Sequence, residues 1–149
     1  MEVGNNPISV AKQIILEAFS FLREEGYSVE TKIMKDTFFS ENFESTFINE
    51  TIGREISISY TKGSVEKGGN LKYTFSLSIT RLPYDGVKDF FSLFVYLSSL
   101  GRDFDTNIVN HFDENEARLI VEKIANALKT YLWDVVKGEK WLEGFYPRW

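Results

Sequence analysis

The chain has no cysteine and one histidine, His111, among its 149 residues. The first absence removes disulfides, thiolate metal sites and a cysteine nucleophile. The second leaves a histidine-dependent triad or a zinc site a single residue to draw on. His111 lies in a polar stretch, and no G-x-S-x-G elbow occurs. Apolar runs fall far short of the roughly 20 residues that span a bilayer, and the polar start Met1–Pro7 lacks the basic and apolar regions of a secretory signal. A cytoplasmic protein with no membrane partner is expected, and Asn49-Glu50-Thr51 is then a chance sequon. There is no Lys/Arg cluster, and the formal charge is −5. Phosphate neutralisation drives nucleic-acid binding, so that class is disfavoured too.

Apolar and aromatic side chains are plentiful, at 43% and 15% of the sequence. Such a chain can fill one core, and residues 1–149 are read as a single domain. The clearest pattern runs from Leu71 to Thr80. Leu71, Tyr73, Phe75, Leu77 and Ile79 alternate with Lys72, Thr74, Ser76, Ser78 and Thr80. Successive strand residues point to opposite faces, so this strand is half-buried. Arg54 to Thr61 alternates in the same way, with Ile56, Ile58 and Tyr60 on one face. The Gly-rich, charged segment Lys62–Asn70 between them predicts a mobile hairpin loop. Tyr27–Met34 predicts an edge strand, because charges interrupt it, and Ser45–Glu50 a further strand. Asp36–Glu44 is read as loop or irregular strand.

Helical spacing appears three times. Asn6-Pro7 opens a helix over residues 7–25 that Gly26 stops. Asp85 caps a second, with the stripe Phe90, Leu93, Phe94, Leu97 and Leu100 ending at Gly101. Asp113, with Glu116 three residues on, opens a third that runs to Lys137-Gly138. Strands grouped together between helices predict an α+β fold. The expected form is a single antiparallel sheet of three to four strands, with one N-terminal and two C-terminal helices packed on one face.

Catalytic patterns are sparse. Asp103-Phe104-Asp105-Thr106-Asn107 has the oxygen ligands of a calcium loop but lacks its glycine and its twelfth-position glutamate. Gly63–Gly69 lacks the Gly-Lys-Ser/Thr of a phosphate loop and opens a strand instead of a helix. Twenty-two acids make some carboxylate pair inevitable, and sequence cannot select one for hydrolysis. No catalytic residue, metal ligand or cofactor is nominated.

Two surfaces stand out instead. The polar segment between the second and third helices carries Asp103, Asp105, Asp113 and Glu114 beside Phe104 and Phe112. Loops of this kind sit on the surface and often carry function, although these acids also serve to solvate the loop and cap the helix. The second is the aromatic tail, with Trp141, Phe145, Tyr146 and Trp149 within nine residues. These rings either cover one end of the core or stay exposed as an anchor for a partner. Phe38, Phe39 and Phe43 pose the same choice.

The run Ala125-Asn126-Ala127-Leu128-Lys129-Thr130-Tyr131-Leu132, followed by Trp133-Asp134-Val135-Val136-Lys137-Gly138-Glu139, has an A-x-x-L-x-x-Y-x-x-x-x-x-x-G-[DE] shape. With Phe91-Ser92-Leu93, Leu97 and Gly101 ahead of it, it resembles small bacterial α+β immunity proteins of polymorphic and contact-dependent toxin systems. The resemblance covers about a third of the chain and implies binding of one cognate toxin without catalysis. It carries over no functional residues. The resulting expectation is a non-enzymatic protein-binding domain with a protein partner, such as a basic toxin domain, and contacts at Asp103, Phe104, Asp105, Asp113, Glu114, Trp141, Tyr146 and Trp149. A small-ligand binder with a pocket between sheet and helices, and an enzyme working through carboxylates alone, are the competing readings.

Overall fold

The computed structural model describes residues 7–35, 41–64 and 71–142. Its centre is the pair of alternating segments. Strands β3 (Arg54–Ser64) and β4 (Leu71–Arg81) run antiparallel, from Arg54 opposite Arg81 to Ser64 opposite Leu71. Ile56, Ile58 and Tyr60 on β3 are buried, as are Tyr73, Phe75, Leu77 and Ile79 on β4. Residues opposed in an antiparallel pair share a face, so these side chains form one apolar surface. Lys62, Gly63 and Ser64, expected in the hairpin loop, extend β3 and pair with Leu71–Tyr73. Residues 65–70 lie outside the described residues.

β2 (Glu41–Asn49) pairs with β3 and adds Phe43 and Phe47 to that surface. β1 (Ser28–Lys35) pairs with β2 at the sheet edge. On its other side β4 is flanked by two three-residue strands. β5 (Phe90–Ser92) lies opposite Ser78–Thr80, and β6 (Asn107–Val109) opposite Lys72–Thr74. The fold is α+β with an antiparallel sheet, and among the described residues the sheet has six strands, not three to four. The two extra strands are too short to show the alternation by which strands are read.

The first and third predicted helices start where their caps predicted but break earlier, and the second starts later than its expected cap. α1 (Pro7–Ala18) buries Ala11, Ile14 and Ile15. At Phe19 the bonding tightens, Leu22 N donating to the Phe19 carbonyl at 3.0 Å, before the short α2 (Ser20–Glu24). The tightened turn puts Phe19 and Leu22 both fully inside. α3 is only Leu93–Ser99, capped by Ser92, whose Oγ accepts from Phe94 N at 3.2 Å. The expected cap, Asp85, instead gives its backbone N–H to the Asp89 carboxylate, and Phe90–Ser92 is drawn into the sheet as β5. α4 (Glu114–Tyr131) has the predicted cap, with Asp113 Oδ1 accepting from Glu116 N at 2.9 Å. It breaks at Leu132, before α5 (Trp133–Val136). Gly138 follows at φ +78°, where a Cβ would run into the Ile52 side chain. That closeness ties the end of α5 to the β2–β3 turn.

α1 packs on α4, β2 and β3, and α4 packs on β4. Their buried side chains and those of the sheet form one apolar cluster. The sheet's other face carries Thr46, Ser57, Ser59, Ser76 and Ser78. Ser57, on the polar phase of β3, is only 8% exposed, with its hydroxyl 3.3 Å from that of Thr46.

Phe75→Ala is expected to cost about 3–5 kcal/mol in urea denaturation, because it empties a core aromatic site. Ser76→Ala should stay within about 0.5 kcal/mol. Equal losses at the two positions would contradict the face assignment.

Candidate functional site

Arg102–Glu116 carries five carboxylates and one arginine, so most of the chain's net charge of −5 is concentrated in the connection from α3 to α4. This segment is not a loose loop. β6 pairs it to β4, and two further backbone bonds bracket the strand: Phe75 N to the Thr106 carbonyl at 3.2 Å, and Asn110 N to the Leu71 carbonyl at 2.9 Å. Ile108 and Thr106 are buried beneath it. Asp105 Oδ1 accepts from both the backbone N and the Nδ2 of Asn107, at 3.0 and 2.7 Å, and Thr74 Oγ1 donates to Asn107 Oδ1 at 2.7 Å. Phe104 packs edge-on against Phe94, ring centres 5.6 Å apart, and Phe112 meets Tyr73 and Tyr60 in the same way.

The named acids therefore differ in what they are free to do. Asp103 is exposed. Asp105 is exposed but committed to the turn that starts β6. Asp113 caps α4. Glu114 reaches Arg118 at 3.7 Å, and Arg118 pairs with Glu17 of α1 at 2.8 Å. β6 stands between Asp103–Asp105 and Asp113–Glu114, so these acids form two groups at the ends of one strand. Phe104 and Phe112 are half-buried supports of that strand.

Trp141 sits at the other end of the sheet and is half-buried. Its Nε1 donates to the Lys88 carbonyl at 2.9 Å, and its ring lies edge-on to Phe91. The guanidinium carbons of Arg54 and Arg81 each lie 5.0 Å from the ring centre. This Trp is engaged in covering one end of the core. Tyr146 and Trp149, with Phe145, Phe38 and Phe39, lie outside the described residues. Phe43 is fully buried and stacks on Tyr60 at 5.2 Å.

Sequence reading missed the polar lock around Trp141. Asn49, Arg54 and Arg81 share one cross-strand row. Arg54 is 5% exposed and donates to three carbonyls: Val135 at 2.9 Å, Gly53 at 2.9 Å and Lys140 at 3.0 Å. Burial pushes its pKa down from the ordinary arginine value. Arg81 pairs with Asp89 at 2.8 Å, and that hydrogen bond holds the Asp89 carboxyl below the usual range. Tyr27 donates its hydroxyl to the Val136 carbonyl at 2.6 Å, and burial pushes its pKa well above the ordinary tyrosine value. The only signal in the sequence was an arginine on the apolar phase of an alternating strand.

Arg102, Phe104, Lys123, Asn126 and Tyr131 line a shallow groove of about 340 Å³ beside α4. Lys123 Nζ lies 5.9 Å from the Phe104 ring centre. Among the described residues no three His, Asp or Glu side chains are placed to hold a metal ion. No described helix is long and apolar enough to cross a membrane. Comparison with protein-family profiles, with curated proteins and with solved structures finds no match to this chain.

Arg54→Ala should cost about 2–4 kcal/mol, since it strands buried carbonyls that a charged donor had satisfied. Tyr27 gives a pH test. The unfolded tyrosine ionises near pH 10 while the folded one stays neutral, so its contribution is intact below about pH 10 and is lost as pH rises further. Tyr27→Phe should lower stability by about 1 kcal/mol at pH 7 and make the decline above pH 10 shallower in chemical denaturation.

Proposed function

We propose that this chain is a non-enzymatic, cytoplasmic inhibitor of the immunity type, which binds one cognate bacterial toxin through the Arg102–Glu116 segment. The observation that carries the reading is that the chain's densest acidic stretch is also firmly ordered, by β6, by the Asp105–Asn107–Thr74 bonds and by Phe104 and Phe112. Ordering before contact reduces the entropy lost on binding. Clustered carboxylates speed encounter with a basic surface and align it. A basic protein domain is therefore the partner that suits the segment. Asp103 supplies long-range attraction, and Asp113 and Glu114 continue the negative surface beyond β6.

A second reading rests on the groove beside α4. Arg102 and Lys123 next to the Phe104 and Tyr131 rings suit a small, planar anion, held by charge and by stacking. A thermal-shift screen with aromatic carboxylates and nucleotides separates the two. A large rise in melting temperature with such a compound favours the groove.

The inhibitor reading is tested by co-expressing the chain with the product of the gene adjacent to its own. Rescue of growth and a co-purifying complex support it, and toxicity without rescue or complex counts against it. Asp103→Lys sharpens the test, because Asp103 lies outside the turn and the cap. Association with the partner should slow by about tenfold at low salt and lose much of its salt dependence, with the melting temperature unchanged. Unaltered association across a salt series would remove Asp103 from the contact.

A further inference from the structure

β1 closes one side of the sheet, and among the described residues it pairs only with β2. Its outer row of backbone N–H and C=O groups is a template for another strand. About Thr31 its sequence is self-complementary. Glu30 and Lys32 flank Thr31 at one residue, and Val29 and Ile33 at two. Glu30 and Lys32 are exposed, and Val29 and Thr31 are half-buried.

Consider two copies of β1 paired antiparallel about a two-fold axis at Thr31. Glu30 of each copy then lies opposite Lys32 of the other, and Val29 opposite position 33. Opposed residues in an antiparallel pair share a face, so the axis must pass through a residue for both sheets to keep their faces aligned. An axis at Glu30 sets glutamate against glutamate, and one at Lys32 sets lysine against lysine. Like charges directly opposed are unfavourable, and among axes through a residue of β1 only the one at Thr31 opposes glutamate to lysine within the strand, so charge favours that register. Within the chain Glu30 stands opposite Thr46 and Lys32 opposite Glu44. Across β1, a second copy gives Glu30 the opposite charge that β2 does not place beside it.

We propose that the chain forms a two-fold dimer by antiparallel pairing of β1 with β1, centred on Thr31, with reciprocal Glu30–Lys32 ion pairs setting the register. The two sheets become one continuous sheet. β6 borders β4, three strands away from β1 in the sheet order, so pairing through β1 does not use the Arg102–Glu116 segment. The dimer therefore stands or falls apart from the inhibitor reading.

Light scattering with size exclusion over a concentration series provides the test. The wild-type chain should approach twice the monomer mass as concentration rises, and a chain that remains monomeric to about 1 mM overturns the proposal. Glu30→Lys alone opposes two lysines at each pair, and Lys32→Glu alone opposes two glutamates. Each should weaken self-association by about tenfold or more. Mixing the two variants restores both ion pairs and should yield a heterodimer as tight as the wild-type dimer. Single variants that dimerise like the wild type, or a mixture that does not associate, overturn the register. Circular dichroism melts confirm that each variant is folded. Should a single variant fail to fold, the double variant Glu30→Lys/Lys32→Glu provides the test, since it retains both ion pairs and should dimerise as the wild type does. A monomeric double variant also overturns the proposal.

Discussion

β3 and β4 hold each other in register from Arg54 opposite Arg81 to Ser64 opposite Leu71. The other strands take their places from that ladder. A slip of one residue would turn the apolar set of one strand, Ile56, Ile58 and Tyr60 or else Phe75, Leu77 and Ile79, out of the core. The long pairing makes such a slip prohibitively unfavourable. It places Phe43 and Phe47 of β2 beside Tyr60 and Ile56, and it offers β4's outer side to β5 and β6. Those two short strands in turn fix where α3 starts and how the segment leading to α4 lies. The acidic stretch owes much of its order to the same ladder, since Leu71, Tyr73, Thr74 and Phe75, which hold it, belong to β4 and Tyr60 to β3.

The two ends of the sheet use polar groups differently. At the Arg54–Arg81 row, charged and hydroxyl groups are buried against backbone carbonyls, and each is matched by a specific acceptor. Removing one partner there leaves a desolvated group, which is why such a cluster resists change. At the β6 end, the carboxylates remain in water, and the bonds they make organise local turns. The first arrangement contributes stability and uniqueness. The second leaves charge available for an outside surface.

The long strands and the starts of α1 and α4 were legible in the sequence because each had a period or a cap over several residues. Leu71–Thr80 showed an unbroken alternation, and Asp113 with Glu116 showed a capping pair. β5 and β6 were not legible, because three residues carry no period and Phe90 also fitted a helical stripe. The interruptions at Phe19 and Leu132 were hidden by apolar spacing that continues across both. At the candidate site, the exposed acids and the supporting phenylalanines could be named from their positions. That Asn107 is tied to Thr74, and Trp141 to Arg54, Arg81 and Lys88, depends on pairings across dozens of residues, which composition and spacing do not encode.

Arg54 and Tyr27 find their acceptors at Val135, Val136 and Lys140, 81 to 109 positions later in the chain. During synthesis the sheet strands leave the ribosome well before those carbonyls do. Until then the guanidinium and the phenol must stay hydrated, because burying them unpaired is costly. That corner of the sheet can therefore close over them only once α5 is in place. These contacts are distant in sequence, and contacts of that kind slow folding generally.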